Sequence, residues 1–457
     1  MMMKTDTWGR GKMKTHNAQD LQAKDDQFIW HHMKGTNKEN ESMVIHEAEG
    51  AWVTDIHGHR YLDGMSGLWC VNAGYGRKEL AEAAYKQLNT MPYYPLTQSH
   101  VPAIQLAEKL NEWLGGDYVI FFSNSGSEAN EAAFKIAKQY HAQKGESTRT
   151  KFISRYRSYH GNTAAALAAT GQAQRKYKYE PLGQGFIHVA PPDMYRHPED
   201  QENLASAAAI DQAMTWELSE TIAGVIMEPM ITGGGILMPP KGYLKKVKEI
   251  CEDHGALLIV DEVICGFGRT GKRFGFMHEE VKPDIITMAK GITSGYLPLS
   301  ATCVKRDIYE AYAGEDTYDR LRHVNTFGGH PASCAVALAN LEIMENEQLV
   351  ERSRKLGQDM LERLQELKEH PFVGDVRGKG LLFGIELVQD QASKKPANPS
   401  VVGQLIAECK KRGLIIGKNG DTVAGYNNVA QLAPPLNITD EDASFIIHTL
   451  KESMAQL

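Results

Sequence analysis

The amino-acid sequence predicts an α/β protein whose central sheet is largely parallel. The first observation is a series of short apolar runs between residues 118 and 288 that alternate with stretches of helical periodicity, the pattern of repeated βα units. The second is a helix over residues 243–251, where apolar residues recur at helical spacing and Gly255 follows as a stop signal. The predicted strands cover residues 118–122, 151–154, 223–227, 256–260 and 284–288.

Outside this region the sequence predicts a smaller lobe built from both ends of the chain. Residues 52–63 alternate apolar and polar side chains around an Asp/His/Gly turn, which predicts a β-hairpin. After Val324 the pattern changes to a long amphipathic helix over 332–367, short strands over 380–387 and a final helix that starts near Thr439. We expect this C-terminal lobe to join the N-terminal hairpin.

Charge and cysteine content argue against several classes of function. The 457 residues include 57 acidic and 50 basic side chains, a formal net charge of −7, which argues against a general nucleic-acid binder. Six cysteines without a Cys-x-x-Cys pair predict neither a disulfide framework nor a thiolate zinc site. Residues 1–25 lack the apolar core of a signal peptide, and no apolar run reaches the ~20 residues of a membrane span. We therefore expect a cytoplasmic protein without a nucleic-acid or membrane partner.

A turn of small residues between a predicted strand and a predicted helix forms the first candidate site. Ser125, Gly126 and Ser127 stand at the start of that helix. Backbone amides at a helix start, two hydroxyls and a glycine that permits close approach can together bind a phosphate group. The same residues also fit a simple capping box, in which Ser125 and Glu128 satisfy the free amides of the helix. The residues alone leave both interpretations open.

Two charged residues that follow apolar strands are the second and third candidates. Asp261 ends such a strand, where an uncompensated carboxylate is unfavourable and a protonated ring nitrogen could be its partner. A magnesium ion or a structural ion pair would explain this carboxylate as well. Lys290 follows the next strand, where burial would lower the pKa of the amine and make it a nucleophile toward an aldehyde. Taken alone, this lysine could also be an ordinary solvated residue.

Three further features have weaker or competing interpretations. Tyr159, His160 and Gly161 combine an aromatic ring with a glycine bend, which suits stacking on a flat heteroaromatic ring or ordinary packing. Residues 266–272 satisfy Gly-x-Gly-x-x-Gly, but position 273 is arginine and no helix is predicted after it, so we reject a P-loop. The histidines at 31, 32, 57 and 59 lack the spacing of metal ligands on a helix, and we predict no metal site.

Taken together, these motifs resemble those of the class III, or omega, aminotransferases. Their order and approximate spacing match over nearly the whole chain, from about Trp30 onward. The stretch 228–235, Glu-Pro-Met-Ile-Thr-Gly-Gly-Gly, is also similar to taurine:pyruvate enzymes. The matching motifs are Ser125-Gly126-Ser127, Tyr159-His160-Gly161, Glu228-Pro229, Asp261-Glu262-Val263, Lys290-Gly291 and the stretch Thr-Phe-Gly-Gly-His-Pro at 326–331.

The resemblance implies a pyridoxal 5′-phosphate (PLP) enzyme of fold type I. Residues 76–324 would form the large domain, with a mostly parallel sheet of the seven-stranded type flanked by helices. Residues 1–75 and 325–457 would together form a small α+β domain. The resemblance also implies a homodimer whose active sites lie at the subunit interface.

The resemblance further implies roles for individual residues. Lys290 would hold the cofactor as a Schiff base and move the proton during catalysis, and Asp261 would pair with the pyridine nitrogen. Trp69 and Tyr159 would line the substrate pocket. The other implied cofactor contacts are Ser125, Gly126, Ser127, His160, Glu228, Val263, the ring of Tyr159 and, from the neighbouring subunit, Thr326.

The implied reaction moves an amino group from an amine or omega-amino acid, possible taurine-like donors included, to pyruvate. It would follow a ping-pong course through pyridoxamine phosphate. An aminomutase, or a PLP-dependent decarboxylase or racemase, would share every cofactor residue, so the motifs leave these alternatives open. A P-loop nucleotide-binding protein is the most distant alternative.

One position departs from the family pattern. Many class III aminotransferases have a mobile arginine shortly before a Pro-Pro loop, where it binds the substrate carboxylate. From Gly413 to the C-terminus this sequence contains no arginine, and Lys418 is the cation nearest to that position. We therefore predict Lys418 as the residue that binds the carboxylate of the acceptor, while an exposed lysine in a glycine-rich loop is the plain alternative.

Overall fold

The computed structural model of the protein describes residues 15–35 and 42–457, so the expectation about residues 1–25 extends beyond the described part. The strands form a central seven-stranded sheet and two four-stranded sheets. The strands are β1 (Ile45–Glu49), β2 (Trp52–Asp55), β3 (Arg60–Asp63), β4 (Tyr118–Ser123), β5 (Lys151–Arg155), β6 (Phe186–Val189), β7 (Ile222–Met227), β8 (Leu257–Asp261), β9 (Ile285–Met288), β10 (Ser300–Lys305), β11 (Val373–Gly378), β12 (Phe383–Leu387), β13 (Leu414–Ile415), β14 (Gly417–Lys418) and β15 (Val429–Leu432).

The central sheet confirms the predicted α/β class. Its order is β4-β10-β9-β8-β7-β5-β6, and every neighbouring pair is parallel except the two that involve β10. All residues of β7, β8 and β9 are buried, which explains why these strands are continuous apolar runs and not alternating ones. All five apolar runs identified in the sequence are strands of this sheet, whereas β6 and β10 were not predicted.

Helices cover both faces of the sheet and fill the chain between strands. On α10, residues Tyr243, Leu244, Val247, Ile250 and Cys251 are buried, as the helical spacing predicts, and Gly255 follows in a left-handed conformation. The helices are α1 (Thr15–Phe28), α2 (Ser66–Trp69), α3 (Lys78–Thr90), α4 (Val101–Leu114), α5 (Gly126–Gln143), α6 (Ala164–Ala169), α7 (Ala173–Lys176), α8 (Asp200–Asn203), α9 (Ala205–Trp216), α10 (Tyr243–Asp253), α11 (Arg306–Glu310), α12 (Pro331–Asn346), α13 (Leu349–Leu364), α14 (Pro399–Lys411) and α15 (Asp440–Met454).

The single long helix predicted over 332–367 is wrong in one respect, because the structure divides it into α12 and α13. Gln348, between them, has a φ of 51°, which a right-handed helix cannot contain. A residue other than glycine or asparagine gives no sequence signal for such a break. The last helix does begin after Thr439, whose hydroxyl accepts a hydrogen bond from the Asp442 amide.

Strands from both ends of the chain meet in one small sheet. The predicted hairpin is β2 and β3, and β13 from the C-terminal region pairs in parallel with β3. The strands β11, β12, β15 and β14 form the third sheet. The meeting of β3 and β13 agrees with a lobe made from both termini, while the exact domain boundaries stay a prediction.

The composition of the sequence led us to expect neither a disulfide framework nor a membrane span. All six cysteines are unpaired, and all except Cys70 are buried. Among the helices of residues 15–35 and 42–457, none is both long and apolar enough to cross a membrane.

Candidate active site

The carboxyl ends of three adjacent parallel strands bring together the charged residues at the centre of the candidate site. Glu228 follows β7, Asp261 ends β8, and Lys290 comes two residues after β9. Parallel neighbours end at the same edge of the sheet, so these side chains converge although 62 positions separate the first from the last in the sequence. This edge is where ligands bind in open α/β sheets.

Lys290 has the environment that a reactive amine requires. Burial lowers its pKa, and the negative charges of Asp261 and Glu228 oppose this effect. Its Nζ lies 5.6 Å from the centroid of the Trp69 ring. Lys290 also has a φ of 47°, a left-handed conformation that costs a non-glycine residue about 1–2 kcal/mol. Strain of this kind is typical of functional sites, because the surrounding structure must enforce it.

Asp261 is held as a buried hydrogen-bonded carboxylate. Its Oδ2 accepts hydrogen bonds from Asn130 Nδ2 and His160 Nδ1, each at 2.9 Å, and its Oδ1 accepts one from the Val263 amide at 3.1 Å. The hydroxyl of Thr287 donates to Asn130 Oδ1 at 2.7 Å and so fixes the orientation of that amide. Within the described ranges, no lysine or arginine bonds to Asp261. The carboxylate thus retains capacity for a cationic partner.

Glu228 is bonded to Tyr159 and Thr232, and within the described ranges no hydrogen bond joins it to Lys290 or Asp261. Its Oε1 accepts a hydrogen bond from the Tyr159 amide at 3.1 Å, and its Oε2 accepts one from the Thr232 amide at 2.9 Å as well as one from the Thr232 hydroxyl. Burial raises the pKa of this carboxyl group. Glu228 therefore fixes the positions of Tyr159 and of the loop that begins at Pro229.

The small-residue turn forms a capping box. Ser125 caps α5 by accepting a hydrogen bond from the Glu128 amide at 3.3 Å, and Glu128 Oε2 accepts one from the Ser125 amide at 3.0 Å. The capping interpretation is therefore realised in this structure. It does not compete with phosphate binding, because the box leaves the amides of Gly126 and Ser127 outside its hydrogen bonds.

Those amides lie in a closely packed cradle, which is formed where the side chains of Val263 and Ser127 approach Gly126 and Gly161. A side chain at Gly126 would meet Val263 at 2.9 Å, so glycine is needed there. Gly161 has a φ of 137°, and a side chain at that position would collide with Ser127. The Ser127 hydroxyl accepts a hydrogen bond from the Asn162 amide at 3.1 Å. The turn before α5 and the glycine bend after Tyr159 therefore form one continuous surface.

The aromatic residues predicted for the site lie close to these groups. Tyr159 is half-buried, and burial raises the pKa of its hydroxyl. Trp69 has a φ of 57° and lies at the end of the kinked segment α2. Its indole Nε1 is buried without a hydrogen-bond partner among the described residues. A bound substrate with an acceptor atom could satisfy this donor.

Two predicted residues are not brought to Lys290 within one chain. Thr326 is exposed, and its carbonyl accepts a hydrogen bond from the Tyr93 hydroxyl at 2.7 Å. Lys418 is an exposed residue of β14, and no contact links its side chain to Lys290 or Asp261 in the part of the chain that the structure describes.

The glycine-rich stretch 266–272 packs against the small lobe. Its Arg269 is fully buried and donates hydrogen bonds to the carbonyls of Leu381 and Pro434 and to Asn72 Oδ1. The 3₁₀ turn Gly275–His278 follows, and no α-helix begins there. A P-loop needs a helix start behind its glycines, so the rejection of nucleotide binding agrees with this geometry.

The residues present fit a PLP group. Asp261 supplies the buried anion that a protonated pyridine nitrogen requires, and Lys290 supplies a primary amine for its aldehyde. The cradle at Gly126 and Ser127 supplies free amides and a hydroxyl for a phosphate. Asn130 and Thr287, which orient Asp261, were missed in the sequence because their contacts arise only when α5 packs on the sheet.

Comparison with known proteins identifies the family. The model of the class-III aminotransferase family matches residues 34–454. Over 443 residues the chain is 74% identical to the aminotransferase YhxA of Bacillus subtilis (strain 168), covering 97% of this chain and 98% of the relative. It is 42% identical over 445 residues to a taurine–pyruvate aminotransferase of Bilophila wadsworthia, covering 95% and 96%.

Solved structures agree with this result. The crystal structure of a Bacillus anthracis aminotransferase superimposes with a TM-score of 0.96 at 64% identity, covering 97% of this chain and all of the other. The omega transaminase of Pseudomonas jessenii, solved in complex with PMP, gives a TM-score of 0.90 at 34% identity, covering 95% and 98%. The chain belongs to the class III aminotransferases, which are PLP-dependent enzymes of fold type I.

Proposed function

We propose that this aminotransferase transfers an amino group from an amine or omega-amino acid, with taurine-like donors included, to pyruvate by a ping-pong mechanism. The observation that carries the proposal is the convergence of Lys290 and Asp261 at one edge of the sheet, beside Trp69. The taurine–pyruvate aminotransferase and the omega transaminase among the relatives support this substrate class.

Lys290 and Asp261 would have different roles in the reaction. When bound, PLP supplies a carbonyl carbon for amine exchange and a ring that accepts the electron pair released at the substrate carbon. Lys290 Nζ would take the proton from that substrate carbon and deliver it to the former aldehyde carbon of the cofactor, and would move it in the opposite direction in the second half of the cycle. Asp261 would keep the ring nitrogen protonated, and Asn130 and His160 hold the Asp261 carboxylate in place.

The remaining cofactor residues would bind the phosphate group of PLP and orient its ring. Gly126 and Ser127 bind the phosphate through the start of α5, while Ser125 caps that helix and keeps its amides in position. Tyr159 and Val263 would contact the ring of bound PLP, and Glu228 holds the Tyr159 backbone. Glu228 is buried, so its hydrogen bonds to the Tyr159 and Thr232 amides form away from water, where electrostatic interactions are stronger.

We further propose a homodimer in the cytoplasm, with Thr326 of the partner subunit completing the phosphate site. An exposed apolar patch surrounds Thr326 in the single chain: Tyr94 is 47% exposed, Val324 73% and Phe327 60%. The Tyr93 ring packs edge-on against Phe327 at 5.9 Å. Contiguous apolar surface of this kind marks a protein interface. We expect a solution mass twice that of one chain, and a monomer that retains full activity would contradict the shared site.

A panel of amine donors with pyruvate tests the proposed reaction. Alanine should form in amounts equal to the carbonyl product released from the donor. Release of carbon dioxide, inversion of the donor or an isomer with a shifted amino group would instead indicate a decarboxylase, a racemase or an aminomutase. Those enzymes can use the same cofactor residues, so product analysis decides between them and the transaminase.

Lys418 provides a prediction about binding of the acceptor. We expect Lys418→Met to raise the KM for pyruvate about 2- to 5-fold, because an exposed lysine offers a point charge that water screens. The reaction with a neutral amine such as 1-phenylethylamine should keep its rate in the first half of the cycle. Lys410→Met, at an exposed position of α14, is the matched control. Unchanged pyruvate kinetics would show that Lys418 takes no part in acceptor binding.

A further inference from the structure

An arginine that the sequence analysis did not single out lies beside Tyr159. Arg175 belongs to the short helix α7, sixteen positions after Tyr159. Its guanidinium carbon lies 5.2 Å from the centroid of the Tyr159 ring, the arrangement of a cation–π contact. Because Tyr159 is fixed by Glu228 and lies next to His160, which bonds Asp261, this contact places a permanent positive charge close to the reactive centre.

One edge of the Arg175 guanidinium is fixed and its terminal nitrogens are nearly free. The Nε donates a hydrogen bond to Gln172 Oε1 at 2.6 Å, and Gln172 is itself buried and donates to the Arg157 carbonyl at 2.9 Å. The Nη2 reaches the Gly420 carbonyl only at 3.4 Å, and the Nη1 reaches Met33 Sδ at 3.7 Å. Both are weak contacts for a guanidinium.

No carboxylate neutralises Arg175 among residues 15–35 and 42–457. This distinguishes it from two neighbouring arginines, since Arg157 pairs with Asp193 at 3.0 Å and Arg196 pairs with Glu386 at 2.6 Å. A half-buried guanidinium with two available nitrogens matches the two oxygens of a carboxylate or the oxygens of a sulfonate.

The loop that follows Lys418 and β14 contacts the same helix. The Gln174 amide donates to the Thr422 carbonyl at 3.1 Å, and Asn427 Nδ2 donates to Gln174 Oε1 at 2.7 Å. Arg175 therefore contacts the loop that follows Lys418, through the Gly420 carbonyl. Arg175 is the stronger candidate of the two, because its stem is anchored and its head already packs on Tyr159, whereas Lys418 is exposed.

We propose that Arg175 binds the acid group of the substrate, whether the carboxylate of the acceptor or the carboxylate or sulfonate of an omega-amino acid donor. The inference rests on the proposed transaminase function and assigns the group that selects its acidic substrates. Lys418, exposed on β14, then adds a weaker and water-screened attraction. Binding through Arg175 leaves the amino or carbonyl end of the substrate directed toward Lys290.

Three variants of the PLP-loaded enzyme test this assignment. Arg175→Gln removes the charge, and Arg175→Lys keeps the charge but loses the paired nitrogens of the guanidinium. The control, Lys178→Gln, removes an exposed charge three residues away, over the Tyr177 ring. Two matched substrate pairs serve as probes: taurine against the neutral 1-phenylethylamine, and pyruvate against acetaldehyde, which is pyruvate without its carboxylate.

We expect Arg175→Gln to raise the KM for taurine and for pyruvate about 10- to 100-fold, the range for loss of a charge-assisted hydrogen-bond pair. The kinetics with 1-phenylethylamine and acetaldehyde should stay within about 3-fold of the parent, which also shows that the variant is folded. The KM values of Arg175→Lys for taurine and pyruvate should lie between those of the parent enzyme and those of Arg175→Gln. Lys178→Gln should have the KM values of the parent enzyme. A larger effect on taurine alone would restrict the assignment to the donor, and one on pyruvate alone to the acceptor; either outcome supports acid-group binding.

A direct binding measurement gives a second readout. Calorimetric titration with 2-hydroxyethanesulfonate, which has the sulfonate of taurine without its amine, should detect binding to the parent holoenzyme and about 10-fold or weaker binding to Arg175→Gln. Equal losses with acidic and neutral substrates, or no loss with either, would overturn the role of Arg175. Failure of the parent enzyme to convert any amine would contradict the proposed function instead, so the two failures are distinguishable.

Discussion

Replacement of Lys290 by alanine should abolish transamination and leave the fold intact. The amine is needed chemically, while the side chain is not a large part of the core, so we expect loss of the cofactor link that borohydride reduces. The rate should fall by at least about 10⁴-fold, because both the covalent attachment and the proton transfer at the substrate carbon depend on one nitrogen. Borohydride labelling, turnover and circular dichroism together measure these effects.

Lys282→Ala is the matched control for this variant. Lys282 is exposed and lies before β9, at the end of the strand opposite to Lys290. We expect full labelling and full turnover in that control. Turnover near the parent rate in Lys290→Ala would mean that another amine carries the reaction.

Replacement of Asp261 by asparagine should allow the cofactor to bind but lower the rate by about 10³-fold or more, equal to ~4 kcal/mol in activation free energy. A neutral amide cannot keep the ring nitrogen protonated, so the electron pair released from the substrate loses its acceptor. In either orientation the NH2 of the new amide would also face a donor, because Asn130 Nδ2 and His160 Nδ1 bond Asp261 Oδ2 and the Val263 amide bonds Asp261 Oδ1 in the parent structure.

Single-turnover kinetics with one amine measure this effect apart from product release. Asp253→Asn, which changes an exposed carboxylate at the end of α10, is the control and should keep the parent rate. If Asp261→Asn retained a near-normal single-turnover rate, the carboxylate would have a structural role only.

Much of the central sheet could be predicted from the sequence because its strands are buried on both faces. Continuous apolar runs such as 222–227 and 257–260 are readable without any tertiary information. The strand β10 was missed because Ser300 and Thr302 interrupt its apolar character, although both are fully buried in the sheet. The break at Gln348 was missed because its cause is a backbone dihedral and not a residue type that favours turns.

The candidate site was predictable only in part, because some of its residues have a local sequence signal and others depend on tertiary contacts. Lys290 and Asp261 stand at strand ends and so carry a local signal in the sequence. No local signal marks Asn130, Thr287 or Arg175, because the role of each depends on contact with a residue more than ten positions away. The absence of an arginine after Gly413 directed attention to Lys418, whereas the structure supplies an arginine from a different part of the chain.

One measurement tests the central role of this site most directly: a single turnover of the PLP-loaded enzyme with an amine donor and no acceptor. We predict release of one carbonyl product per subunit and conversion of the cofactor to pyridoxamine phosphate, after which added pyruvate is converted to one equivalent of alanine. Lys290→Ala should release none. Continuous consumption of the donor without any acceptor, or no carbonyl product from a panel of amines and omega-amino acids, would contradict a ping-pong transaminase centred on Lys290 and Asp261.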